Sequence, residues 1–168
     1  MSEVLGVVQA RMSSSRLPGK VLKPIQDQPM ILRQLERLTH CSSLSGIVVA
    51  TSTDKQDDQV ASVVQDAGWT VIRGPQDDVL ARFVTVVEKQ SALAVARLTA
   101  DCPLISPTVV DQVVRTYVSA NVDYVSNSLR EEDRKPENVP RPRPQPLSKL
   151  SSWLGWSRST INDDESSQ

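Results

Sequence analysis

The sequence predicts a three-layer α/β domain with a mostly parallel sheet and helices on both faces, and three observations carry that prediction. Short, nearly continuous apolar runs alternate with stretches of helical period, the pattern of strands buried on both faces and joined by right-handed helical crossovers. Aromatic residues make up 4% of the chain and Phe83 is its one phenylalanine, so the core is built from Val, Leu, Ile and Ala rather than from the rings of a β-sandwich. The first apolar run also gives way at once to small polar residues and cations, Gln9-Ala-Arg-Met-Ser-Ser-Ser-Arg-Leu-Pro-Gly-Lys20. Ligands of α/β sheets bind at the carboxyl ends of strands, where this loop falls.

Residues 4–10 read as the first buried strand. A helix follows over 29–39, with Met30, Ile31, Leu35 and Leu38 at helical spacing, Pro29 at a first-turn position, and Arg33, Glu36 and Arg37 toward water. Residues 46–51 form a second strand that ends at Ser52, Thr53 and Asp54. The next helix spans 57–67, with Val60, Ala61, Val63 and Val64 inward and Gly68 as its cap. A third strand over 69–73 is broken by Gly74-Pro75 before a helix over 77–90, whose stripe is Val79, Leu80, Phe83, Val86 and Val87. Residues 94–98 are the fourth strand. Ser106-Pro107 supplies cap and first turn to a helix through 119, and 124–126 are expected as a fifth strand.

The folded domain is therefore expected over 1–128. From 129 to 168 the chain is charged and proline-rich, too poor in apolar residues to fold, and reads as an extended disordered tail. Within 147–156, Leu147, Leu150, Trp153, Leu154 and Trp156 could line one side of a short helix that docks on the domain, on a partner or, least of all, on a membrane surface.

A length of 168 residues suits one domain, and a net charge of -1 gives no basic face for nucleic acid. No apolar run approaches the length of about 18 residues that a membrane span requires. Met1-Ser2-Glu3 opens toward a strand without the parts of a signal peptide, so cytoplasmic residence is the expectation. Cys41 and Cys102 make neither a disulfide framework nor a metal spacing.

The loop after the first strand suits a phosphate. Ser13, Ser14 and Ser15 let main-chain N–H groups approach an anion, Arg11, Arg16 and Lys20 add charge, and Pro18-Gly19 is a turn dipeptide that gives the loop a defined shape. It is not a Walker A loop, which needs glycine where Ser14 stands and Ser or Thr where Val21 stands. A solvated cationic loop is the alternative reading. Asp101, after the fourth strand, lies at the same sheet edge and is the kind of oxygen donor that Mg²⁺ takes. The alternative for Asp101 is a cap on the turn before Pro103, and Asp77 and Asp78 equally suit the positive end of the helix dipole.

Together these residues resemble the cytidylyltransferase family that makes CMP-activated sugars, including the acylneuraminate and 3-deoxy-manno-octulosonate enzymes and, most of all, the branch named for spore coat polysaccharide biosynthesis. The resemblance rests on residues 9–20, on Val49-Ala-Thr-Ser-Thr53, on Arg73-Gly74 with Asp78-Val-Leu-Ala-Arg82, on Arg97-Leu-Thr-Ala-Asp-Cys-Pro-Leu104 and on Asp123-Tyr-Val-Ser-Asn127. It implies the Rossmann-like nucleotide-diphospho-sugar transferase fold. It also implies transfer of CMP from CTP to a sugar acid or sugar phosphate, with release of pyrophosphate, for cell-surface polysaccharide biosynthesis.

By position, the resemblance implies a nucleotide site of Ala10, Arg11, Ser14, Ser15, Arg16, Lys20, Arg73, Gly74, Asp78 and Arg82. Arg11, Arg16 and Lys20 would hold the triphosphate and stabilise the departing pyrophosphate, Ala10 and Arg73-Gly74 would lie near base and ribose, and Asp101 would be the first aspartate on Mg²⁺. The family continues beyond the counterpart of Asn127 into a glycine–leucine–aspartate segment with a second metal carboxylate, further sheet and a dimerisation arm. This chain has residues 130–146 there instead, and reads as a shortened member in which the metal site, sugar pocket and homodimer are incomplete. A non-catalytic nucleotide-binding remnant, or a partner-binding protein, is the second reading. A glycosyltransferase of related fold is disfavoured, because Asp101 is followed by Cys102 and Pro103 rather than by an acidic pair spaced by one residue.

Overall fold

The four apolar runs that predict strands do form one sheet. The structure is a computed structural model and describes residues 4–14, 17–120 and 122–127. Strand β1 (Val4–Gln9) leads into the loop and a single 3-10 turn at Lys20–Leu22, then a short hairpin of β2 (Pro24–Ile25) and β3 (Gln28–Pro29), then helix α1 (Met30–Leu38). There follow β4 (Gly46–Ser52), a 3-10 turn at Lys55–Asp57, α2 (Asp58–Asp66), β5 (Thr70–Gly74), α3 (Val79–Gln90), β6 (Ala94–Thr99) and α4 (Pro107–Ala120). These elements belong to one unit that ends at Val125.

The main sheet has the order β5-β4-β1-β6 and is parallel throughout. Val7 lies opposite Val48 on one side and Arg97 on the other, and Val7 and Val8 are both fully buried, as a strand central in a sheet covered on both faces must be. Ile31, Leu35, Val60, Val64, Val110 and Val114, from α1, α2 and α4, share one core with Val8 and Val49. Phe83 and Val86 of α3 pack with Leu5, Val7 and Ile72 on the other face. The helices therefore divide between the two faces, as the alternating pattern predicts. After β5 the chain crosses back to the far side of β1, so the loops that follow β1 and β6 emerge side by side.

Two local expectations are corrected. Residues 124–126 form no strand: Tyr124 is 73% exposed, and a run of one valine between tyrosine and serine has too little apolar surface to hold a strand against β6. Among the described residues β6 therefore has β1 as its one partner strand. The β2–β3 hairpin is the second correction, an element that the sequence reading leaves as loop. Its turn residues Gln26 and Asp27 have φ of 48° and 65°, a conformation for which Asn-Gly, not Gln-Asp, is the usual signal. Gly68 does close α2 as expected, at φ 84°, donating its N–H to the Gln65 carbonyl at 2.8 Å. The tail over 129–168 and its expected helix at 147–156 lie outside the described residues. No helix among the described residues is long and apolar enough to cross a membrane.

Candidate functional site

The loop that follows β1 is closed by a backbone hydrogen bond. The Met12 carbonyl accepts the Gly19 N–H at 2.9 Å, so 12 and 19 form the neck of the loop, and Gly19 occupies the left-handed region at φ 67° that this closure requires. On its other side the Met12 N–H donates to Asp57 Oδ1 at 2.7 Å. Ser14 Oγ accepts the Leu17 N–H at 3.5 Å, while Ser15 and Arg16 lie outside the described residues. Lys20 comes directly after the neck, and its Nζ donates to Asp101 Oδ2 at 2.9 Å. The two residues that the sequence places at one sheet edge thus touch.

Asp101 is held by its neighbours in turn. The buried Gln34 of α1 donates from Nε2 to the Thr99 carbonyl at 2.8 Å and accepts the Cys102 N–H at Oε1 at 3.3 Å, fixing the turn that carries the carboxylate. The hydrogen bond from Lys20, and next that from Thr99, hold the Asp101 carboxyl below its ordinary value against the opposing effect of burial. Ser14, Leu17, Lys20, Lys23, Ile25, Met30 and Asp101 line an open cleft of about 400 Å³. Among the described residues there is no group of three or more His, Cys, Asp or Glu side chains able to cage a metal ion. An ionised, 43% exposed carboxylate beside a lysine does, however, fit Mg²⁺ carried in on phosphates, which takes one or two protein oxygens and keeps its waters.

The remaining predicted residues are placed around a second turn, after β5. Ala10 is buried, and its N–H continues the sheet by donating to the Ala50 carbonyl at 3.0 Å. Arg11 Nη1 reaches the Gln76 carbonyl at 3.4 Å. Arg82, expected on the nucleotide, is fully buried: its Nη2 donates to the carbonyls of Pro75 and Gln76 at 2.6 and 2.7 Å, and its Nε and Nη1 have no partner among the described residues. Burial, and then the nearby charge of Arg11, lower the Arg82 pKa, while Asp57 and Asp78 oppose them. Gly74 permits this packing, since a Cβ there would lie 3.0 Å from Arg82 Cα. Asp78 caps α3 by accepting the Ala81 N–H at 2.8 Å. Arg73 donates to the carbonyls of Ser52 and Asp54 at 2.8 and 2.9 Å and pairs with Asp58 at 2.6 Å.

The structure thus brings Ser14, Lys20 and Asp101 to one cleft, joins Arg11 and Arg82 at one carbonyl, and gives Arg73 and Asp78 partners within the fold. Sequence reasoning missed Gln34 and Asp57. Gln34 left a signal, a glutamine among Ile31, Leu35 and Leu38 on the inward face of α1. Asp57 left none, reading as an ordinary helix start.

The family profile described as cytidylyltransferase matches residues 5–145. An uncharacterised protein of Methanocaldococcus jannaschii is 36% identical over 124 residues, 74% of this chain and 51% of its own length. The spore coat polysaccharide biosynthesis protein of Bacillus subtilis is 33% identical, over 74% of this chain and 53% of its own. A 3-deoxy-manno-octulosonate cytidylyltransferase of Chromohalobacter salexigens is 34% identical over 68% of this chain and 45% of its own. Among solved structures, a cytidylyltransferase from Leptospira borgpetersenii superposes with a TM-score of 0.66 at 32% identity, covering 71% of this chain and 50% of that one. A CMP:2-keto-3-deoxy-manno-octonic acid synthetase complexed with CTP gives 0.64 at 32%, covering 71% and 49%. The chain spans about half the length of the curated relatives it matches.

Proposed function

The chain belongs to the cytidylyltransferase family, and from that premise we propose that it binds CTP with Mg²⁺ through residues 1–128 and serves transfer of CMP to a sugar acid or sugar phosphate. The observation that carries the reading is the 2.9 Å contact of Lys20 with Asp101 at the carboxyl ends of two adjacent parallel strands, beside an open cleft. In the reaction, an acceptor oxygen attacks the α-phosphorus in line, the bond from that phosphorus to the bridging oxygen breaks, and pyrophosphate leaves with its negative charge. Nothing in that exchange needs a protein nucleophile, so the protein contributes positioning and charge neutralisation. Lys20 and Arg11, with Arg16 from the sequence, supply the positive charge. Asp101 would hold Mg²⁺, which when bound would neutralise phosphate oxygens. The names of the ulosonate-specific relatives support an acidic sugar as acceptor.

Incubation with CTP, Mg²⁺ and a panel of ulosonic acids and sugar phosphates, with pyrophosphate as the readout, tests the reading. Release with an acidic sugar is expected, and no release across the panel would retire it. The single carboxylate beside Lys20 among the described residues favours a second reading, nucleotide binding without turnover. Calorimetry with CTP separates the two, because the second predicts binding that Mg²⁺ does not tighten.

A further inference from the structure

Asp57 is a carboxylate almost wholly inside the molecule, 2% exposed, on no surface that a substrate reaches. One of its oxygens accepts the Met12 N–H at 2.7 Å, and the other accepts the Ser52 N–H at 3.3 Å and the Ser52 hydroxyl. It therefore ties the loop after β1 to the end of β4 and the start of α2. A solvated helix start needs none of these bonds, since one capping acceptor near the first turn suffices.

What Asp57 holds is the residue on which the cationic loop turns. Arg11 precedes Met12 and extends to the Gln76 carbonyl, while the Met12 carbonyl accepts the Gly19 N–H, and Lys20 follows Gly19 to reach Asp101. A shift of the Met12 peptide would carry both flanking cations with it. We propose that Asp57 is a positioning residue for this loop: its buried carboxylate fixes the Met12 backbone and, through it, the separation of Arg11 from Lys20. The bearing on catalysis rests on the proposed function, because it assumes that these cations receive a triphosphate.

The test uses the full chain with Asp57→Asn and Asp57→Ala, reading amide hydrogen exchange residue by residue and CTP affinity by calorimetry. In Asp57→Ala, exchange at Met12 and Gly19 should rise at least about tenfold, with Leu35 and Val49 unchanged, and CTP affinity should fall about tenfold. Asp57→Asn keeps an acceptor for Met12 and should recover part of both losses, which a general weakening of the fold would not give. If Asp57→Ala does not fold, the same readings on Asp57→Asn and on Ser52→Ala, which removes one support of the carboxylate, decide the matter by a rise confined to the loop. Unchanged exchange at Met12 and Gly19, or a rise spread equally through the core, overturns the inference. So does freed exchange with CTP affinity intact. Should the unaltered protein bind no CTP, the exchange readings still decide whether Asp57 holds the loop, and the proposed function alone fails.

Discussion

Asp101 and Asp111 are two carboxylates held below their ordinary value, and they are held there by different means. Asp101, after β6, is 43% exposed and has a lysine tip as its chief partner, with Thr99 second. The Asp111 side chain on α4 is 8% exposed and accepts the Ser42 N–H at 3.0 Å, the Ser42 hydroxyl at 2.7 Å and the Ser43 N–H at 2.9 Å. Burial alone would raise the Asp111 pKa, but the bonds from Ser42 and Ser43 outweigh it and bring it to about 2. The difference lies in what each partner can do next. A lysine side chain at a cleft can exchange a carboxylate for a phosphate and lose little, whereas the amide of Ser43, a buried residue, has no solvent to replace its acceptor. One carboxylate belongs to the site and the other to the corner that locks α4 onto the loop before β4.

Removing each group separates the two regions. Asp111→Ala leaves the buried Ser43 amide without an acceptor and removes both bonds from Ser42, and should lower unfolding stability at neutral pH by about 3 kcal/mol in denaturant titration. Because the folded pKa of Asp111 is lowered from 3.8 to about 2, its contribution is fully present above pH 4. As pH falls through the window toward 2 that contribution disappears, a loss of about 2 kcal/mol. Asp111→Asn should flatten that part of the stability profile without altering CTP affinity, and an unchanged acid limb would show that the carboxylate does not bear the load assigned to it.

Lys20→Ala is the complementary break, with an effect expected in binding rather than in folding. Loss of a charge-assisted contact to phosphate corresponds to about 2 kcal/mol, a fall in CTP affinity of roughly tenfold to a hundredfold by calorimetry. Its half-exposed pair with Asp101 contributes less than about 1 kcal/mol to stability, so the unfolding curve should barely move. Equal losses in both measurements would erase the distinction between the regions.

Why one carboxylate could be read and the other could not follows from the range of the contacts. Asp101 was legible because it follows an apolar run that must be a strand, and strand ends in a parallel sheet share one edge; the 2.9 Å contact with Lys20 joins two residues that this topology brings to the same edge. Asp111 and Asp57 act across the fold on amides of Ser42 and Met12, and an aspartate in a helical stretch carries no mark of such a partner. Arg82 is a different case. Its place in a motif suggested a ligand contact, while the structure buries it under the turn at Pro75 and Gln76, a packing that depends on Gly74 having no side chain. The hairpin over β2 and β3 was missed because its register is set by Pro24 opposite Pro29 and by a turn without glycine, so no local signal marks it. Alternation of apolar runs reveals layers and order. It does not reveal which polar side chains are turned inward.

The smallest expected effect uses two glycines at opposite ends of the sheet. Gly19, at φ 67°, closes the loop at the cleft, and Gly68, at φ 84°, follows α2 on the way into β5. A β-carbon in the left-handed region costs about 1 kcal/mol at either position, so alanine at each should lower stability similarly. Their surroundings differ: a Cβ at Gly68 would meet nothing within 4 Å, while one at Gly19 would lie 3.2 Å from the terminal methyl of Met12. That methyl sits on a flexible side chain and can move, yet Met12 and Gly19 form the neck that sets Lys20. Gly19→Ala should therefore weaken CTP binding by a further factor of about 3, by relaxing the neck, and Gly68→Ala should leave it unaltered. Equal CTP affinities in the two variants, at equal stability, would mean that the neck can loosen without disturbing the cations it presents.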